Sequence, residues 1–162
     1  MCTPDLIRLA DAVVARARSR GVMLATAESC TGGLVAAALT SVAGSSAVLE
    51  QGAVTYSNAA KTRMLDVPSD LIAAHGAVSQ PVAEAMAAGA RARAGVDLAV
   101  SITGIAGPGG GSADKPVGMV HFGLATAGGI RHLERRFADG GREAIRMAAT
   151  EQALKLLLGG LG

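Results

Sequence analysis

Apolar residues recur along this chain at two periods, and the switches between them outline the elements. Leu6, Leu9, Ala10, Val13 and Val14 share one helical face, so Pro4–Ser19 is predicted to be an amphipathic helix stopped by Gly21. Val22–Ala27 is a short apolar run that breaks into the polar turn Glu28–Gly33, and Leu34–Ser41 reads as a helix of small residues. A second strand is expected over Leu49–Tyr56, with Ser57 or Asn58 capping a helix to about Leu65. Pro68 opens a short helical turn ending at His75-Gly76. Ser79 then reads as the N-cap, with Pro81 in the first turn, of an Ala-rich helix to about Arg93, ended by Gly95. Leu98–Ile102 is apolar without interruption, which predicts a central strand buried on both faces. Val117–Ala127 and Ile130–Phe137 flank Gly128-Gly129 as a hairpin, and Arg142–Leu158 closes the chain as a helix.

Helices alternate with strands early and a hairpin comes late. This order predicts a single α/β domain over 1–162. The expected architecture is a three-layer α/β/α sandwich around a mixed, mostly parallel sheet. Ligands of such sheets sit beyond the carboxyl ends of the strands. Three polar, glycine-rich segments follow strands directly: Ala27–Gly33, Tyr56–Lys61 and Ser101–Gly111. They are expected to meet at one edge and form the working site.

Composition narrows the function. Half of the 162 residues are apolar but only 2% are aromatic, so base-stacking platforms for nucleic acid are not expected. A formal charge of +2 is too small to argue for a polyanionic partner, and Arg16–Arg20 and Arg131–Arg136 read as solvated faces. No apolar run reaches the length of a membrane span. Cys2 and Cys30 make neither a disulfide framework nor a metal site, and free thiols fit a cytoplasmic protein. His75, His121 and His132 show no ligand spacing and no neighbouring carboxylate pattern, so no metal is expected. Glu28 stands alone, without the partner carboxylate that glycosidase chemistry needs.

Each polar segment offers specific chemistry. Ser29 sits at a strand-to-helix turn whose following amides can face a phosphate or a developing oxyanion, though the flanking glycines of a nucleophile elbow are absent. Lys61 is expected in the first turn of its helix, where the helix dipole and burial both disfavour the cation, as a general-base lysine requires. The loop from Ser101 is neither a P-loop nor a dinucleotide fingerprint, and its glycines suit a backbone cradle for phosphate or ribose. Each segment also has a plain structural reading: a capping turn, a surface lysine near a core tyrosine, a flexible loop.

The chain resembles the CinA C-terminal domain family. The motifs that carry the resemblance are Ala27–Gly33 (AESCTGG), Gly44-Ser45-Ser46, Val54-Thr55-Tyr56-Ser57-Asn58 with Lys61, His75-Gly76-Ala77-Val78-Ser79, Gly104-Ile105-Ala106-Gly107-Pro108 and Lys115-Pro116-Val117-Gly118. The match runs from about Leu6 to Leu158. The resemblance implies an amidohydrolase that converts nicotinamide mononucleotide to nicotinic acid mononucleotide and ammonia, with no metal or organic cofactor.

On this reading Ser29 is the nucleophile, Lys61 its base, and Tyr56 assists. Thr31, Gly32, Gly33, Ser46, Asn58, Thr103, Gly104, Gly107 and Arg142 would line the substrate pocket. The oxyanion would be held by amides of the Thr31–Gly33 turn or of the Gly104 loop, and the phosphate by backbone amides and Arg142. A water attacking directly, oriented by Ser29, is the competing arrangement. A nucleotide-binding regulatory module and a hydrolase of another small nucleotide are the alternative functions. The alanine-rich helices Leu34–Thr40 and Val82–Ala94 are the faces on which a homodimer would pack.

Overall fold

The computed structural model describes residues 2–162. Its elements are α1 (Pro4–Arg20), β1 (Leu24–Glu28), α2 (Leu34–Thr40), β2 (Leu49–Val54), α3 (Asn58–Leu65), α4 (Ser69–His75), α5 (Gln80–Ala94), β3 (Leu98–Gly104), β4 (Met119–Thr126), β5 (Gly129–Arg136) and α6 (Arg142–Gly160). A short 3-10 turn, Ser45–Ala47, precedes β2. The strands form one sheet in the order β2-β1-β3-β4-β5. β1 runs parallel to β2 and to β3, whereas β4 and β5 each run antiparallel to the strand before them. The sheet is therefore mixed, parallel through its first three strands and antiparallel beyond.

Helices cover both faces. α1, α2 and α6 pack Ala10, Val13, Leu39, Leu154 and Leu157 against Leu24, Val100, Ile102 and Phe122. On the opposite face α3, α4 and α5 pack Leu65, Ile72, Met86 and Ala90 against Ala25, Ala27 and Ala99. β3 is buried along nearly its whole length, as its unbroken apolar run predicts. The alanine-rich helices turn their apolar faces to the sheet: Val35, Ala38 and Leu39 from α2, and Val82, Ala83, Met86, Ala87 and Ala90 from α5.

Small residues make the close approaches possible. A Cβ at Gly123 would lie 2.6 Å from Ala83 O and 2.7 Å from Ser101 Oγ, so only glycine lets α5 lie this near β4. Ser101 uses that seam, donating to Ala83 O at 2.6 Å and accepting from Gly123 N at 3.0 Å. It is a packing residue rather than part of a ligand loop.

Some boundaries differ from expectation for identifiable reasons. The second strand stops at Val54, because Thr55 and Tyr56 leave the ladder toward the cap of α3. Ser57, not Asn58, is that cap, its hydroxyl accepting from Ala60 N at 3.0 Å. Ser79 holds the cap position of α5 but donates its hydroxyl to Gly76 O, so it ties down the α4–α5 connection instead of capping. The hairpin loop falls one residue earlier than expected, at Ala127-Gly128, with Thr126 paired to Gly129.

Candidate active site

Parallel strands end on the same edge, so the turns after β1, β2 and β3 converge. Between them lies a cleft of about 210 Å³ lined by Ser29, Tyr56, Lys61, Ala77, Thr103 and Arg142, together with Cys30, Asn58, Val78, Gly104 and Ala106. No acidic side chain lines it; Lys61 and Arg142 are its cations. A larger cavity of about 540 Å³ lies between α1 and Ser41–Ala43, away from these groups.

The centre of the cleft is a serine–lysine pair. Lys61 Nζ donates to Ser29 Oγ at 3.0 Å and to Thr55 O at 2.8 Å. Lys61 is only 1% exposed, and no carboxylate pairs with it among the described residues. Burial holds its pKa below the ordinary lysine value; Cys30 opposes this weakly. Burial pushes the neighbouring Cys30 thiol up to about 11, so at neutral pH it is an inert thiol.

Glu28 explains how the Ser29 turn is held. It is buried, and its carboxylate accepts from Gly33 N at 3.0 Å, Val35 N at 3.1 Å and Ala36 N at 2.9 Å. The N-cap position of α2 is Gly33, which has no side chain to satisfy these amides, and Glu28 supplies the missing acceptor along with a favourable charge for the helix dipole. Ser29 N donates to Ile102 O at 2.9 Å, fixing the start of the turn on β3.

The structure does not bring every expected residue to the cleft. Gly32 and Gly33 cannot supply the expected oxyanion amides, because Gly32 N donates to Ser29 O at 3.0 Å and Gly33 N to Glu28. Thr31 is fully buried and Ser46 is exposed in the 3-10 turn; neither lines the cleft. Gly107 meets the site through its carbonyl, which accepts from Arg142 Nη1 at 2.8 Å. Tyr56 stands at the rim, 61% exposed, its hydroxyl accepting from Arg142 Nη2 at 2.8 Å. It makes no hydrogen bond to Ser29 or Lys61, and Arg142 is the partner of its hydroxyl. Asn58, Thr103, Gly104 and Arg142 line the cleft as expected, and Thr103 donates to Ala77 O at 2.9 Å.

Two features escaped the sequence pattern. Arg146, one helical turn after Arg142 on α6, donates to Cys30 O at 3.0 Å and Thr31 O at 3.1 Å. Its four-residue spacing from Arg142 was the available signal. The second is the histidine pair: the hairpin register sets His121 opposite Glu134, 4.0 Å away, and joins His121 Nδ1 to His132 Nε2 at 2.9 Å. A neighbouring carboxylate does exist, but among the described residues no group of three or more His, Cys, Asp or Glu is placed to hold a metal ion.

The CinA C-terminal domain profile matches residues 6–161. The chain belongs to the CinA C-terminal domain family. One family relative, the nicotinamide-nucleotide amidohydrolase PncC of Escherichia coli strain K12, is 50% identical over 157 residues, covering 97% of this chain and 95% of that protein. A CinA-like protein of Anaeromyxobacter dehalogenans is 55% identical over 149 residues, and the alignment covers 92% of this chain but 36% of the relative. The chain thus spans about a third of the length of the CinA-like relatives it matches. Among solved structures, the competence/damage inducible protein CihA from Agrobacterium tumefaciens superposes with a TM-score of 0.95 at 48% identity, covering 98% of this chain and 97% of that one.

Proposed function

We propose that this chain is an amidohydrolase that converts nicotinamide mononucleotide to nicotinic acid mononucleotide and ammonia. The observation that carries the reading is the 3.0 Å contact between Lys61 Nζ and Ser29 Oγ in a cleft without a carboxylate. A desolvated lysine beside a serine is a nucleophile with its base, and the 50% identical relative is named for this amidohydrolase activity.

With Lys61 unprotonated, the hydrogen bond reverses and the Ser29 hydroxyl donates to Nζ. Thr55 O accepts an N–H of the amine and turns its lone pair toward the serine. Ser29 Oγ bonds to the amide carbon as its proton passes to Nζ, and the carbonyl electron pair moves onto oxygen. That pair returns as the carbon–nitrogen bond breaks, and Lys61 hands its proton to the departing nitrogen, giving ammonia. Water then gives a proton to the same amine and adds to the acyl carbon, and as the ester bond breaks Nζ returns that proton to Ser29 Oγ and the carboxylic acid is released.

The cleft volume of about 210 Å³ lies below the ~300 Å³ at which small-molecule sites usually begin, so it suits the ring and leaves ribose and phosphate at the rim. There Arg142 borders both the cleft and a neighbouring depression of about 310 Å³. A guanidinium held, among the described residues, by one hydroxyl and one carbonyl is free to take a phosphate.

The same reading takes residues 1–162 as one cytoplasmic domain, with Cys2 and Cys30 as free thiols, and a homodimer packed on the outer face of either α2 or α5, which lie on opposite sides of the sheet. No helix among the described residues is long and apolar enough to cross a membrane. Light scattering that finds only monomer would remove the dimer. Ammonia release from nicotinamide mononucleotide by metal-free protein tests the activity. Nucleotide binding in calorimetry without release would replace the enzyme with a binding module.

A further inference from the structure

Residues 75–79 and 115–118 take no part in the serine–lysine chemistry, yet the fold fastens one segment to the other. Ala77 and Val78, in the connection between α4 and α5, form one wall of the cleft. Three successive carbonyls of this segment are held by side chains. Lys115 Nζ donates to His75 O at 2.6 Å, Ser79 Oγ to Gly76 O at 2.8 Å and Thr103 Oγ1 to Ala77 O at 2.9 Å. His75 closes α4, where the last carbonyls of a helix lack a partner of their own. Gly76 turns away with φ 76°, and a Cβ there would come within 2.9 Å of Lys115 Nζ, so glycine makes room for the ammonium.

Lys115 ends the exposed part of the glycine-rich loop between β3 and β4 and is braced there. Its N–H donates to Ser112 Oγ at 3.1 Å, and its carbonyl accepts from Ser112 N at 2.8 Å. The loop is fastened at its start as well, since Gly107 O accepts from Arg142 Nη1. Between these anchors residues 108–114 are exposed, and a Cβ at Gly109 would meet nothing within 4 Å. Hydrogen bonds therefore run round the mouth of the cleft. They pass from Tyr56 through Arg142 to Gly107, along the loop to Lys115, across to His75, and through the wall to Thr103. Lys115 does not line the cleft, and no carboxylate pairs with it among the described residues.

We propose that Lys115 is a positioning residue for substrate: by tying the glycine loop to the Ala77–Val78 wall, it sets the width of the mouth that grips ribose and phosphate. The inference rests on the amidohydrolase reading for the identity of that ligand. Lys115 acts through the wall and the loop and does not touch the reacting groups. Those are held by other bonds, Lys61 by Thr55 O and the Ser29 turn by Ile102 O. The tie therefore bears on binding and not on proton transfer.

The test compares wild type with Lys115→Met and Lys115→Arg. In Lys115→Met, KM for nicotinamide mononucleotide should rise about tenfold with kcat within about twofold and the pH midpoint of kcat/KM unmoved. Lys115→Arg, which keeps a cationic donor, should recover most of the loss. A kcat that falls at constant KM, or a displaced pH midpoint, overturns the proposal, since the lysine would then act on the chemistry. A lower melting temperature with unchanged KM overturns it too, because the tie would then serve stability alone. Amide exchange reads the tie without turnover. Gly76 N, bonded to Ile72 O at 2.7 Å, and Ser112 N should both exchange about tenfold faster in Lys115→Met, and both should slow in wild type when the nucleotide binds. A change at one amide without the other overturns the proposal, and the wild-type comparison decides it even if Lys115→Met does not fold. Failure of the amidohydrolase reading would show separately, as absence of ammonia release from wild type.

Discussion

Lys61 and Ser29 lie 32 positions apart in sequence, yet their side chains meet at 3.0 Å, Ser29 on the turn after β1 and Lys61 on α3, which follows the adjacent parallel strand β2. β1 delivers the serine and β2, through the Ser57 cap, delivers the lysine. The pairing of Glu28 with Val54 sets both turns at the same height on the sheet edge. The chemistry is therefore written into strand register before any side chain is considered.

Removing either partner should end turnover. Ser29→Ala and Lys61→Ala are expected to lower kcat by ~10⁴ or more, since nucleophile and base act as one unit. The double variant should be no worse than either single one. Steady-state ammonia release decides this, and near-normal activity in Ser29→Ala would remove the nucleophile assignment.

The pH dependence follows from the buried amine. The base form of Lys61 is active, so kcat/KM should rise with pH through a pKa below the ordinary value of 10.5 and then level off. Stability should change in the same direction. The unfolded chain keeps the lysine proton up to about 10.5, while the folded chain releases it earlier, so stability rises with pH across that interval. Lys61→Met should flatten both curves. A wild-type melting profile that falls across the interval would contradict the desolvated lysine.

Glu28 is a structural clamp with no reach to the cleft. Glu28→Ala leaves three amides at the start of α2 without an acceptor and should cost on the order of 3 kcal/mol. Urea denaturation measures it, and a loss under about 1 kcal/mol would show that solvent replaces the carboxylate readily.

Tyr56→Phe separates two roles. The hydroxyl holds Arg142, so its loss should raise KM about fivefold and leave kcat within about twofold. A kcat lower by ~10² would instead place the phenol in the proton path.

Gly89 tests how the lysine is carried. A Cβ there would lie 1.8 Å from Leu65 O, so α3 rests directly on the backbone of α5. Gly89→Ala should destabilise by about 3 kcal/mol and, by displacing α3, weaken activity as well. An unchanged melting temperature would mean that the helices part freely.

Much of this arrangement can be read from residue order. The unbroken apolar run Leu98–Ile102 marks the central strand, and the turns after three strands mark the edge where Ser29 and Lys61 meet. Glu28 was harder, because an acid's role as acceptor for amides five to eight residues ahead depends on how the turn folds back. Its trace in the sequence is indirect: α2 begins at Gly33 with no residue able to cap it. Arg146 was hidden for a similar reason, since its partners are carbonyls, which every residue possesses and none advertises. For Tyr56 the residue was legible and its partner was not. The motif implies an assisting role, and the fold joins its hydroxyl to the guanidinium of Arg142.

The antiparallel half of the sheet separates two ends of the molecule. Because β4 runs back from the cleft, the Ala127-Gly128 loop lies eight strand residues, about 25 Å, from the edge that carries Ser29. Short exposed loop tips tolerate added chain well. This hairpin is accordingly the place to attach a fluorophore or a surface tether, where a reporter can ride on the protein without touching its chemistry.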